Sequence, residues 1–174
     1  MSMPVQDGRE PSPEPGSLLG GLFDVRRARR RDRQPLALML DRCGSETRYR
    51  RFHGHVSAFP ERYLAEALSG SPAHFALVAE AAGGGTLVAL ASCRTVTAGI
   101  AEIGILVEDA WQRLGIGGRL LAEIINHAER TRLTTLRAQL LADQAWITGM
   151  LRRHGTCAAV ASRDVLDVTL RLGC

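Results

Sequence analysis

Residues 101 to 121 read AEIGILVEDAWQRLGIGGRLL, and this segment constrains the fold more than any other. An apolar strand passes through a short polar turn into Gly115-Ile116-Gly117-Gly118, and the chain continues directly into an amphipathic helix over Gly117 to Arg132. Within that helix Leu120, Leu121, Ile124, Ile125 and Ala128 recur at helical spacing and make one apolar face. Glycine has no side chain to shield the backbone, so successive N–H groups ahead of the helix are free to converge, and the helix dipole adds positive potential at the same point. Such a turn suits a pyrophosphate and asks for no lysine.

Spacing separates the phosphate loops that resemble this one. A dinucleotide fingerprint, GxGxxG counted from Gly115, places Leu120 where its third glycine belongs, and here the turn follows a meander rather than opening a βαβ unit. A Walker loop ends in Gly-Lys, and this chain has no lysine: all 22 of its basic residues are arginine. The same absence excludes Schiff-base enzymes and protein kinases, which need a side-chain amine. The remaining pattern, Gln/Arg-x-x-Gly-x-Gly/Ala, is matched by Gln112-Arg113-Leu114-Gly115-Ile116-Gly117.

The surrounding sequence reads as one mixed α/β domain. A first strand spans Leu22 to Ala28; Asp32 is placed to cap a helix whose apolar stripe is Leu36, Leu38, Met39, Leu40 and Cys43, and Gly44 ends it. Pro60 to Leu68 is a second helix. His74 to Glu80 and Thr86 to Arg94 form a hairpin across Gly83-Gly84-Gly85, and Ile100 to Val107 extends it to a three-stranded meander. After the long helix come a strand at Leu136 to Leu140, a helix from Asp143 to His154 stopped by a left-handed Gly155, and two closing strands, Cys157 to Ala161 and Val165 to Leu172. The order β-α-α-β-β-β-α-β-α-β-β gives a mixed sheet with helices on its faces. Residues 1–17, rich in proline and acidic side chains, are expected to be a disordered tail, leaving 18–174 as a single domain.

On the six-residue motif, the strand and helix that flank it, and this element order, the sequence resembles the GNAT family of acyl-CoA N-acyltransferases from about residue 20 to 172. The resemblance implies a mostly antiparallel sheet with a V-shaped splay, acetyl-CoA as co-substrate and no metal. It implies that N–H groups of Arg113, Leu114, Gly115, Ile116, Gly117, Gly118 and Arg119, in the turn begun by Gln112, hold the pyrophosphate, with the Arg113 and Arg119 side chains beside it. The backbone of Leu106 and Val107 would pair with the pantetheine arm, one of their N–H groups facing the thioester oxygen. Gln144 stands where the family often has an asparagine that helps to hold that arm.

A protonated amine cannot attack, so the site needs a base. Glu102 is the candidate: it interrupts an apolar strand four residues before the expected oxyanion donor, and Gly104, on the same face, leaves room beside it. Half-burial there is expected to raise its pKa toward neutrality; the competing reading is an exposed carboxylate. Glu108 and Asp109 fall at the phosphate turn, where their charge would repel the co-substrate, and His127 and His154 read as packing or surface residues. Ser45 to Gly54, SETRYRRFHG, together with the AEIGILVEDAWQRLGIGGRLL segment, is similar to the bacterial protein-lysine acetyltransferase branch, in which a glutamate matching Glu102 is the base and the acceptor is a lysine of an acyl-CoA synthetase or related protein. The tyrosine general acid of many family members is replaced by Leu151, and the usual Gly-Phe after that helix is Gly155-Thr156, which puts the packing of the closing strands in question.

Composition narrows the remaining possibilities. Cys43, Cys93, Cys157 and Cys174 are dispersed without a CxxC, against a zinc site or a disulfide scaffold. No apolar run is long enough for a membrane span and no signal pattern is present, so no membrane association and a reducing cytoplasm are expected. The resemblance implies an N-acetyltransferase acting on a primary amine, foremost a protein lysine, as a monomer or homodimer. The alternatives are a small-molecule amine acceptor and a non-catalytic acyl-CoA-binding module. Nucleic-acid binding through the arginine clusters Arg26 to Arg33 and Arg48 to Arg51 ranks last, because few aromatic side chains are available to stack bases.

Overall fold

The structure, a computed structural model, describes residues 21–173; the expected tail lies outside the described residues. Seven strands, β1 (Phe23–Arg27), β2 (His74–Ala81), β3 (Leu87–Thr97), β4 (Ile100–Val107), β5 (Thr135–Leu141), β6 (Gly155–Ser162) and β7 (Val165–Leu172), form one sheet in the order β1-β2-β3-β4-β5-β7-β6. Every neighbouring pair is antiparallel except β4 and β5, which run parallel. The helices are α1 (Arg33–Arg42), α2 (Ser45–Phe52), α3 (Glu61–Ala67), α4 (Ile116–Arg130) and α5 (Ile147–Leu151).

Both faces of the sheet centre are covered, which is why β2 and β3 are apolar almost without interruption instead of alternating. Phe75, Leu77 and Ala79 of β2 pack with the apolar face of α4, to which Ile116 is added at the helix start. Ala76 and Val78 face the other way, onto Leu36, Met39 and Leu40 of α1 and Leu64 of α3. Each large aliphatic side chain so buried gains about 1.5–3 kcal/mol from leaving water.

Three expectations are corrected. Asp32 precedes α1 but does not cap it: its buried carboxylate accepts two hydrogen bonds from Arg26, each 2.8 Å, and one from the Arg29 N–H at 2.7 Å. Burial alone would raise the Asp32 pKa, and these donors bring it below the ordinary carboxylate value. The helix expected from Asp143 to His154 is broken into a 3-10 turn, the short α5 and a second 3-10 turn; Gly149 lies in its middle and only Thr148 and Leu151 of α5 are buried. Gly155 is not a left-handed stop but the first residue of β6, where a Cβ would collide with the Arg171 carbonyl oxygen.

α2 was not anticipated. Its sequence, SETRYRRF, buries no residue fully, so apolar periodicity offers nothing to read. Asp109 supplies the missing anchor: its carboxylate accepts the Gly44 N–H at 2.8 Å and the Thr47 hydroxyl at 2.7 Å, at the start of the helix. Burial raises the Asp109 pKa, yet these two donors hold it below its usual value.

Candidate functional site

The parallel ladder between β4 and β5 is short. Ile100, Ala101 and Glu102 pair with Thr135, Leu136 and Arg137, and beyond them the strands separate. β4 continues to Val107 still paired with β3, and β5 continues to Leu141 paired with β7. The divergence is the V-shaped splay that the resemblance implied, and it opens a cleft of about 1300 Å³. This exceeds the roughly 300–1000 Å³ usual for one drug-sized ligand and leaves room for two substrates.

Register decides which backbone groups face the gap. The Glu108 N–H donates to the Val88 carbonyl at 2.9 Å, and Leu106 pairs with Leu90 in the same ladder. Because an antiparallel strand directs alternate residues to opposite sides, Leu106 also points its N–H at β3, whereas Ile105 and Val107 point theirs into the gap. The Val107 carbonyl, which accepts the Gln112 side-chain amide at 3.1 Å, confirms that direction. Of the two residues expected to present an N–H, only Val107 does so; the Leu106 side chain is buried against α1 and α3.

At the far end of β4, Glu108 is buried with its carboxylate on Arg42, at 3.0 and 2.8 Å. Glu108 and Asp109 therefore act as structural ties and neither lines the cleft. The glycine turn follows. Arg113 and Gly115 adopt left-handed conformations, φ 63° and 81°, and reverse the chain so that α4 begins at Ile116. The Arg119 N–H already donates to Gly115 O at 3.0 Å, so the first-turn N–H groups left without a helical partner are those of Ile116, Gly117 and Gly118. Arg113, Gly115, Gly117 and Gly118 line the cleft. A Cβ added at Gly117 would meet no atom within 4 Å. Open space in front of unpaired N–H groups at a helix start fits a pyrophosphate.

The other expected contacts divide. Ile116 is buried and anchors the helix start in the core. Leu114 and Arg119 do not line the cleft, and the Arg119 guanidinium pairs with Glu123 at 3.1 Å, one helical turn on. Gln112 lines the cleft but spends its amide nitrogen on Val107 O and Thr47 Oγ1, both 3.1 Å, which ties the turn to α2. Gln144 also lines the cleft, with its side-chain oxygen accepting the Leu141 N–H at 3.1 Å and its amide nitrogen without a hydrogen-bond partner among the described residues.

On the opposite arm of the cleft, Glu102 shares a sheet face with Gly104. Its side chain is 51% exposed, which favours the competing reading of an exposed carboxylate, and it is ion-paired with Arg94, directly across on β3. The room expected beside Gly104 is taken by Arg51 of α2, whose guanidinium lies where a Cβ would go. Sequence reasoning missed Arg51, Arg94 and Tyr63 as cleft residues because each comes from a different element. The one available signal was Gly104 itself, a glycine inside a strand, which marks a close approach. Leu151, at the place of the absent tyrosine, is buried on the cleft wall, and β6 and β7 pair without interruption despite Thr156.

The chain matches the acetyltransferase (GNAT) family over residues 42–155. A search of curated protein sequences finds no match. Among solved structures it is similar to the GNAT domain of S. lividans PAT, with a TM-score of 0.73 and 20% identity over 85% of this chain and 89% of that one. It is also similar to yncA from Salmonella typhimurium, solved with its cofactor acetyl-CoA, with a TM-score of 0.67 and 16% identity over 87% of this chain and 95% of the other. The cAMP-binding acyltransferase from Mycobacterium smegmatis is 26% identical over 87% of this chain but only 44% of its own length, with a TM-score of 0.58.

Proposed function

Because the chain belongs to the acetyltransferase (GNAT) family, we propose that it transfers an acetyl group from acetyl-CoA to a primary amine, and that the amine is a protein lysine. The observation that carries the transfer is the splay: one cleft is open at once to the gap-facing N–H of Val107, to the glycine turn and to the carboxylate of Glu102.

In this reading the N–H groups of Ile116, Gly117 and Gly118 hold the pyrophosphate, and the amide nitrogen of Gln144 reaches the pantetheine arm. Acetyl-CoA supplies the activated acyl carbon. The N–H of Ile105, the gap-facing donor nearer to Glu102, stabilises the oxygen of the thioester carbonyl as negative charge builds on it, and that of Val107, about 7 Å further along the strand, pairs with the pantetheine arm. Glu102 takes a proton from the incoming ammonium, so that the amine nitrogen forms a C–N bond as the C–S bond breaks. Ile105 lies about 10 Å along the strand from Glu102, three residues at about 3.4 Å each, so the proton travels through water. Arg94 fixes the carboxylate and frees it from the need to search for a partner. With Leu151 where a tyrosine would stand, the leaving thiolate takes its proton from water or from the amine.

The lysine acceptor is supported by the likeness to the PAT domain and by the SETRYRRFHG segment, most of which is helix α2 and lines the cleft. The test is release of free CoA thiol from acetyl-CoA with lysine-containing proteins, peptides and small amines, followed by mass spectrometry of the acceptors. CoA binding without thiol release across that panel rejects the transferase in favour of a sensor module, and release with small amines alone rejects the lysine.

A further inference from the structure

Three guanidinium groups crowd the acceptor side of the cleft, and they are not equivalent. Arg50 is held by Asp143 at 2.7 Å and by Glu46 at 2.5 Å. Arg94 is held by Glu102. Arg51 has no carboxylate partner among the described residues. Among the described residues its buried Nε meets no hydrogen-bond partner, and the side chain makes one hydrogen bond, a long contact from Nη2 to Ser92 Oγ at 3.5 Å. The Ser92 hydroxyl is itself engaged by the Tyr63 O–H at 3.1 Å.

The group is nonetheless firmly placed. Its Cζ sits 5.0 Å from the ring centroid of Phe52 and 4.9 Å from that of Tyr63, and its plane closes against the backbone of Gly104. Aromatic rings and a glycine remove much of the water that would otherwise solvate the charge, and a desolvated guanidinium with donors to spare binds a carboxylate strongly and with fixed geometry. Arg113 and Arg137 also line the cleft, but both are exposed and keep their water.

We propose that Arg51 is a recognition site for a carboxylate on the acceptor, so that the preferred acceptor carries a carboxylate within about 7 Å of the amine it presents to Glu102. The spacing follows from the strand: Gly104, against which Arg51 lies, is two residues from Glu102 on the same face, about 3.4 Å each. This deepens the transferase reading and rests on it. A lysine followed or preceded by Asp or Glu satisfies it, and so does a small amino acid whose carboxylate stands a few methylenes from its amine.

The test compares matched acceptors that differ only in that charge: lysine peptides with glutamate or glutamine beside the lysine, and ε-aminocaproate against its amide. The unaltered protein is expected to favour the carboxylate member of at least one pair by about ten- to a hundredfold in kcat/KM, the range of one charge-assisted bidentate contact. The pair that shows the preference identifies the source. Arg51→Gln is expected to bring that ratio to about one with the KM for acetyl-CoA unchanged, and Arg51→Lys to retain part of it. Equal rates for both members of every pair, or a ratio untouched by Arg51→Gln, would overturn the proposal. Calorimetry with the N-acetyl derivatives of the same pairs, in the presence of CoA, separates the two readings. Selective, Arg51-dependent binding without turnover keeps the carboxylate site and rejects the transferase; unselective binding rejects the site whatever the turnover.

Discussion

Replacing Gly117 with valine tests the turn without testing the fold. Gly117 is the second residue of α4, and a side chain there leans toward the helix N-terminus, into the space that the proposed pyrophosphate occupies. Within the protein that space is open, since an added Cβ meets nothing within 4 Å. Valine is a better helix former than glycine by a few tenths of a kcal/mol, so stability should be unchanged or slightly higher. For a chain of this size about 1 kcal/mol corresponds to about 2–4 °C, so Tm should move by no more than about 2 °C. Binding should behave differently. Displacing a phosphate oxygen from one backbone N–H forfeits a charge-assisted hydrogen bond of about 1.5–3 kcal/mol, and each 1.4 kcal/mol is about tenfold in affinity. The KM for acetyl-CoA should therefore rise about ten- to a hundredfold in a thiol-release assay at fixed amine, and CoA affinity by calorimetry should fall in parallel. Gly117→Ala is the control, because the motif admits alanine here and a methyl group projects less far. A valine variant with an unchanged KM would refute the placement of the pyrophosphate. A Tm loss above about 5 °C would refute the claim that this space belongs to no protein atom.

Further perturbations address other parts of the molecule. Glu102→Gln should lower kcat by about 10²–10⁴ while leaving CoA affinity as it is, measured by thiol release and calorimetry; unchanged turnover removes Glu102 as the base. Burial pushes the thiols of Cys43 and Cys93 up to about 11, so both should resist a thiol reagent at pH 8 in the native protein and react fully in denaturant. His127 stacks on Phe75, ring centroids 3.7 Å apart, and burial, then the charges of Arg27 and Arg130, lower its pKa below 6.5. The unfolded chain thus binds this proton more readily than the native one, so the stability His127 confers is present above pH 6.5 and lost as pH falls below it. His127→Gln should flatten the decline of Tm between about pH 7 and 5, and an equally steep decline in that variant would assign it to other groups.

The parts of the fold that could be read from sequence are those whose signal is local. The meander, the boundaries of β4, the apolar face of α4 and the glycine turn all follow from periodicities of two or 3.6 and from glycine placement. Where an element depends on a distant partner, the same reading fails. α2 has no apolar stripe and exists through Asp109, more than sixty residues away in the chain. Gly155 looked like a helix stop, but its lack of a side chain serves the Arg171 carbonyl across the β6–β7 pair.

By itself the sequence determined the chemistry on offer: a glycine turn ahead of a helix, proposed to hold phosphate through backbone N–H groups because no lysine exists to help it, and a lone carboxylate on an apolar strand. Only tertiary structure decided how these are used. Strand pairing turned Val107, not Leu106, toward the cleft, and cross-strand register gave Glu102 its arginine. Helix α2, invisible to periodicity, carried Arg51 onto Gly104 and turned the open space expected beside Glu102 into a charged one. The physical reason is the same in each case. Backbone direction and charge pairing are properties of two segments brought together, and neither segment encodes them alone.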